Sequence, residues 1–139
     1  MNKGYAWFEI WILVALLVAA KGRGTGVSLA RLIATADYIN HAIVTREELE
    51  VGLGRLIDIG YVSNSPKGFR ATRRAVSMWN ESAAKRRSVR DAWRDVEKAM
   101  GERPRSSSAP RTAPEGIVSE SDYVSALKEY RREWSKRVA

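Results

Sequence analysis

From Ile10 to Val18 the chain carries nine apolar residues in succession, and this run restricts the fold more than any other feature. With Trp7 and Phe8 before it, it predicts a helix from about Ala6 to Lys21 that is apolar on nearly every side. Such a helix has no face to give to water, so it belongs at the centre of a core or partly under a second copy of the chain. Lys3, the apolar run and Val18-Ala19-Ala20 also fit an export signal with small residues at its cleavage point. Glu9 at the head of the run opposes that reading, as do the crowded aromatics Tyr5, Trp7, Phe8 and Trp11. The run is also shorter than the ~20 apolar residues that span a bilayer. The expectation is a cytoplasmic chain that keeps residues 1–20 and makes no stable membrane insertion. Secretion or anchoring through that segment is the alternative.

Further along, the punctuation is regular. Gly22-Arg23-Gly24-Thr25-Gly26 stops the first helix, because glycines propagate a helix poorly. Ser28 caps a second helix reaching about Ile39, with Leu29, Leu32, Ile33 and Ala36 on one face and Asn40 as its left-handed terminal residue. Thr45-Arg46-Glu47-Glu48 is a capping box that opens a third helix to about Ile59, with Leu49, Leu53, Leu56 and Ile57 inward and Gly60 as the stop. Tyr61-Val62-Ser63 and Phe69-Arg70-Ala71 predict two short strands around the turn 64–68. Thr72 caps a fourth helix that runs to about Met100, with a break expected near Arg86-Arg87-Ser88. Residues 101–116 are rich in proline and hydroxyl side chains, which predicts a flexible linker before a last helix from about Ser119 to Val138.

The segment Thr45 to Val62, TREELEVGLGRLIDIGYV, resembles the third helix and first wing strand of small bacterial winged helix-turn-helix proteins. Gly68-Phe69-Arg70-Ala71-Thr72 is similar to the returning wing strand and the threonine cap after it, and Leu32 to Thr45 to the second helix and turn. The resemblance covers about residues 6–80. It implies a mainly α fold with a small two-stranded wing, a winged helix-turn-helix with a C-terminal helical extension. The 139 residues then divide into a winged-helix domain at 1–80, a basic helical extension at 81–100, the linker at 101–116, and a detached amphipathic helix at 117–139. The resemblance also implies DNA binding and transcription regulation, with the third helix as the usual major-groove reader.

Charge complicates that implication. The net charge of +8 is concentrated in residues 61–105, which carry 12 basic and 5 acidic side chains, while residues 1–60 are balanced. With its leucines inward, the third helix turns Glu47, Val51, Gly54 and Asp58 outward, flanked by Glu48, Glu50 and Arg55. Four acids and one base make a poor surface for a polyanion. A different face is expected to reach nucleic acid: Lys67 on the wing turn, Arg70 on the returning strand, and Arg73 and Arg74 at the start of helix four. Lys85, Arg86 and Arg87, then Arg90 and Arg94, extend that cluster. Phosphate contacts need only cations at a surface, so the binding expected is non-specific.

The alternative is a protein-protein interaction module without DNA binding, in which aromatic anchors form a homo-oligomer or partner seam. Its candidates are Trp79 and Trp93, with Leu127, Tyr130 and Trp134 in the last helix. Those last three belong to the stripe Tyr123, Leu127, Tyr130, Trp134 and Val138, and Val89, Trp93, Val96 and Met100 form another. Packing of these stripes on each other or on the domain is the competing use. Catalysis has little to work with: there is no cysteine, and the single histidine, His41, has one helical-spaced carboxylate at Asp37. Nothing orients a nucleophile, and no P-loop or dinucleotide fingerprint is present, so neither an enzyme nor a cofactor is expected.

Overall fold

The computed structural model describes residues 7–81, 88–102 and 115–138. Among the described residues, six helices and one hairpin follow in the order α1 (Trp7–Ala19), α2 (Leu29–Asn40), α3 (Arg46–Asp58), β1 (Val62–Ser65), β2 (Gly68–Ala71), α4 (Arg73–Asn80), α5 (Val89–Glu102) and α6 (Glu120–Val138). The protein is thus mainly α with a small two-stranded antiparallel sheet. Among the described residues, no helix is long and apolar enough to cross a membrane.

α1 is the axis of the core, as its all-round apolar character requires. Every residue from Glu9 to Leu17 is buried, and α2, α3, α5 and β2 pack around it. Trp11 Nε1 donates to the Ala36 carbonyl at 2.9 Å and so ties α1 to α2. Glu9 is fully buried, with Arg55 of α3 at 3.5 Å. The carboxylate that looked out of place in an apolar run is therefore an anchor between helices. Gly52 explains why α3 tolerates glycine in its interior: a Cβ there would stand 2.5 Å from Ile12 Cδ1. A side chain there would require the tip of buried Ile12 to move aside.

The caps follow the local signals with two shifts. Thr45 and Glu48 form the reciprocal capping box of α3. At its other end Tyr61 N–H donates to the Leu56 carbonyl and Gly60 N–H to that of Ile57, a Schellman closure with Gly60 at φ +85°. In α2 the left-handed residue is His41, not Asn40, which remains helical. At the end of α1 the left-handed turn begins at Lys21, one residue before the glycine cluster.

The hairpin pairs Val62 with Ala71 through Ser65 with Gly68, leaving Pro66 and Lys67 as its turn. It does not stand free. Val27 exchanges two backbone hydrogen bonds with Phe69, at 2.7 and 3.0 Å, and buried Phe69 joins the core. Thr72 closes the corner: its hydroxyl donates to the Gly60 carbonyl at 2.6 Å while accepting from Ala75 N–H, so strand end and helix start are fastened together.

Helix four is two helices in the structure. α4 ends at Asn80, and α5 starts behind Ser88, whose hydroxyl accepts from Asp91 N–H. Ala92, Val96 and Met100 bury α5 against α1 and α4, so that stripe is spent on the core. The C-terminal helix is not detached either: α6 lies along α2. Ala126 is buried there, and Tyr123, Leu127 and Tyr130 pack beside it. The expected linker falls mostly outside the described residues, but its end at Glu115 and Gly116 lies within them, and Gly116 is held by α3.

Candidate nucleic-acid interface

The hairpin alternates its side chains between core and solvent, and that alternation decides where its cations point. Phe69 and Ala71 face inward, so Arg70 between them is exposed, and Lys67 sits exposed in the turn. Arg73, the first residue of α4, is exposed as well. None of these three forms an ion pair with a described residue. Arg74 is different. Its guanidinium lies 4.8 Å above the Tyr61 ring, and Nη1 donates to the Ile59 carbonyl at 2.7 Å. A cation there satisfies the negative end of α3, which makes Arg74 a structural cap before it is a phosphate ligand. Lys85, Arg86 and Arg87 lie outside the described residues. Arg90, Arg94 and Lys98 are exposed on α5 at four-residue spacing, on one face of that helix, so Lys98 joins the arginines expected from the sequence. α4 touches both β2 and α5 and links the two basic regions.

The outward side of α3 is built for another purpose. Glu48 is absorbed in the capping box, where Thr45 N–H donates to it at 2.9 Å. Glu50 accepts from Val118 N–H at 2.8 Å with one oxygen and from Gly116 N–H at 3.0 Å with the other. Arg46 completes the grip by donating to the Val118 carbonyl at 2.9 Å. Arg55 is turned to Glu9, and Gly54 is buried rather than outward. Charges that made a repellent groove-reading face are mostly helix caps and clasps. Periodicity cannot show this, because the clasped residues lie 66–72 positions further along.

Two tyrosines extend the clasp. Tyr123 donates to the Val44 carbonyl at 2.7 Å, and Tyr130 donates to the Asp37 carboxylate. Asp37 is therefore engaged by α6, while its sequence neighbour in the candidate acid-base pair, His41, sits exposed at the end of α2. Among the described residues no three metal-ligating side chains gather. Of the aromatic anchors, Trp79 lies half-buried against Gly22, and Trp93 packs partly on the core beside Arg90 and Arg94. Leu127 and Tyr130 face α2, and Trp134 stands in solvent.

Burial pushes the Tyr123 phenol above the ordinary tyrosine range, with Arg131 opposing and Glu48 adding to the shift. The folded chain thus holds this proton more tightly than the unfolded one. Its contribution is complete below the free phenol value of about 10 and is lost as pH rises through the folded value. Tyr123→Phe is expected to cost about 1 kcal/mol at neutral pH and to flatten the fall in stability above pH ~10. Paired urea titrations of the two proteins at neutral and alkaline pH check this; parallel alkaline losses would count against it.

Comparison with protein-family models, curated proteins and solved structures gives no match.

Proposed function

We propose that the protein is a winged helix-turn-helix module of the cytoplasm that contacts nucleic-acid phosphates through its hairpin and the helices after it. The order of α1 to α4 around the hairpin supports the fold reading, together with the glycine closure of α3 and the threonine corner. Burial of α1 supports the location, because a chain cleaved after Ala20 would lose the axis of its core. One observation carries the functional reading: Lys67, Arg70 and Arg73 are exposed together without an ion pair to any described residue, next to a helix that adds Arg90, Arg94 and Lys98. The face of α3 supports a corollary, that base sequence is not read, since Glu47 remains exposed there and Glu50 and Arg46 are occupied. The protein acts as a regulatory or architectural factor and carries out no catalytic step.

The test is a titration of mixed-sequence duplex DNA across salt, read by fluorescence anisotropy. Binding should be indifferent to sequence and should weaken steeply with salt as counterions are released. The combined variant Lys67→Glu, Arg70→Glu, Arg73→Glu should bind about 100-fold more weakly at low salt. Its salt slope should be shallower by about three ions. Glu47→Gln should bind equally well or better. Absence of wild-type binding at low salt, in a chain of net charge +8, would remove the reading.

A further inference from the structure

The two most exposed large hydrophobic side chains among the described residues, Tyr38 at 72% and Trp134 at 56%, flank one open groove. It runs between α2 and the second half of α6 and has a volume of about 580 Å3. Its floor is small, with Ala30 and Ala34 of α2 beside Val18 and Ala19 at the end of α1. A helix can approach such a floor closely, and the walls are aromatic. Tyr130 is tethered to Asp37, which holds one wall in place. The rims differ in sign: Arg31 stands on the α2 side, and Glu129 and Glu133 on the α6 side.

A uniformly basic occupant would meet Arg31, and a uniformly acidic one would meet both carboxylates. The groove asks for a helix that carries both signs beside an aromatic anchor. α6 is such a helix, with Glu129 and Glu133 interleaved with Arg132 and Lys136 around Trp134. We infer that the groove is the dimerisation surface of the protein, filled by α6 of a second copy running antiparallel. The two α2–α6 pairs then close into a four-helix bundle. A two-fold axis makes the contact self-complementary: Glu129 and Glu133 of each copy meet Arg132 and Lys136 of the other, while Trp134 of each enters the facing groove. The existing Glu133–Lys136 pair, 3.7 Å apart and largely in water, is no obstacle, because such pairs exchange partners at little cost. Buried aromatics at the centre of an interface commonly dominate its affinity.

The test is the mass of the full-length chain in solution, by sedimentation equilibrium, with no nucleic acid present, so its outcome is separate from that of the DNA titration. The wild type should be dimeric at about 50 μM, and Trp134→Ala should weaken the dimer at least 30-fold with its helical circular dichroism retained. Charge exchange tests the pairing. Glu129→Lys with Glu133→Lys, and separately Arg132→Glu with Lys136→Glu, should each be monomeric, and an equimolar mixture of the two should dimerise. A monomeric wild type overturns the inference. So does a dimer that neither Trp134→Ala nor the charge exchanges disturb, or a mixture that fails to associate.

Discussion

Replacing Gly68 by alanine is expected to destabilise the fold by about 4 kcal/mol and to lower the melting temperature by roughly 10–15 °C. Gly68 opens β2 with φ +115°, a conformation that side chains avoid. Strain is the smaller part of the cost. A Cβ at this position would stand 2.1 Å from the Val27 carbonyl oxygen and 2.7 Å from its carbon. Backbone atoms have no rotamer by which to escape, so Val27 must move. Its movement breaks the two hydrogen bonds to Phe69 and lifts a buried ring from the core. Gly60→Ala is the matched control: φ is +85° there, but the nearest atom is Arg74 Nη1 at 3.7 Å. That variant should lose only about 1 kcal/mol, from backbone strain alone. Thermal melts of both variants decide the matter, and equal losses would show that close approach is not what Gly68 provides. The hairpin also carries Lys67 and Arg70, so Gly68→Ala should weaken nucleic-acid binding without changing a charge.

What the sequence disclosed follows the range of the forces involved. An apolar run needs no partner to reveal that it must be buried, so α1 was legible as the core axis. Capping of α3 by Thr45 and Glu48, and its closure at Gly60, are likewise settled within a few residues of chain. The left-handed position at the end of α2 missed by one residue, since the signal there was residue type alone. Illegible were the contacts that give charged residues their purpose. Glu50 is an ordinary outward acid of α3 until Gly116 and Val118 arrive, and Arg74 is one more arginine in a basic run until it settles over Tyr61. Charge counting treats such residues as surface. Hydrogen bonding converts several into structure, and what remains exposed of the basic run among the described residues is the group Lys67, Arg70 and Arg73 by the hairpin, with Arg90, Arg94 and Lys98 along one face of α5.

A chain ending at Pro114, without α6, should be about 3–5 kcal/mol less stable than the full protein. A detached helix could be removed at no cost to the domain, which makes this truncation a direct measure of docking. The clasp consists of two backbone donors on Glu50, the Arg46 bond to Val118, and the tyrosine bonds to Val44 and Asp37. Bonds that involve a charged group are the stronger ones, and buried Val118 and Ala126 add apolar contact. Ordering the nineteen residues of α6 opposes all of this, so the net effect lies well below the sum of the contacts. Urea denaturation of the two chains supplies the number, and a difference under about 1 kcal/mol would mean that α6 rests on the domain without holding it. The same truncated chain bears on how α3 is used. If α6 merely covered a groove-reading helix, its removal should raise affinity for particular DNA sequences. Truncation, however, removes only the Gly116 and Val118 donors from Glu50 and leaves Glu47 exposed on the same helix, and carboxylates there repel phosphate. No gain in sequence preference is therefore expected, and binding should keep the salt slope set by the hairpin and α5. A sequence-specific gain on truncation would instead identify α3 as the reader and α6 as its cover.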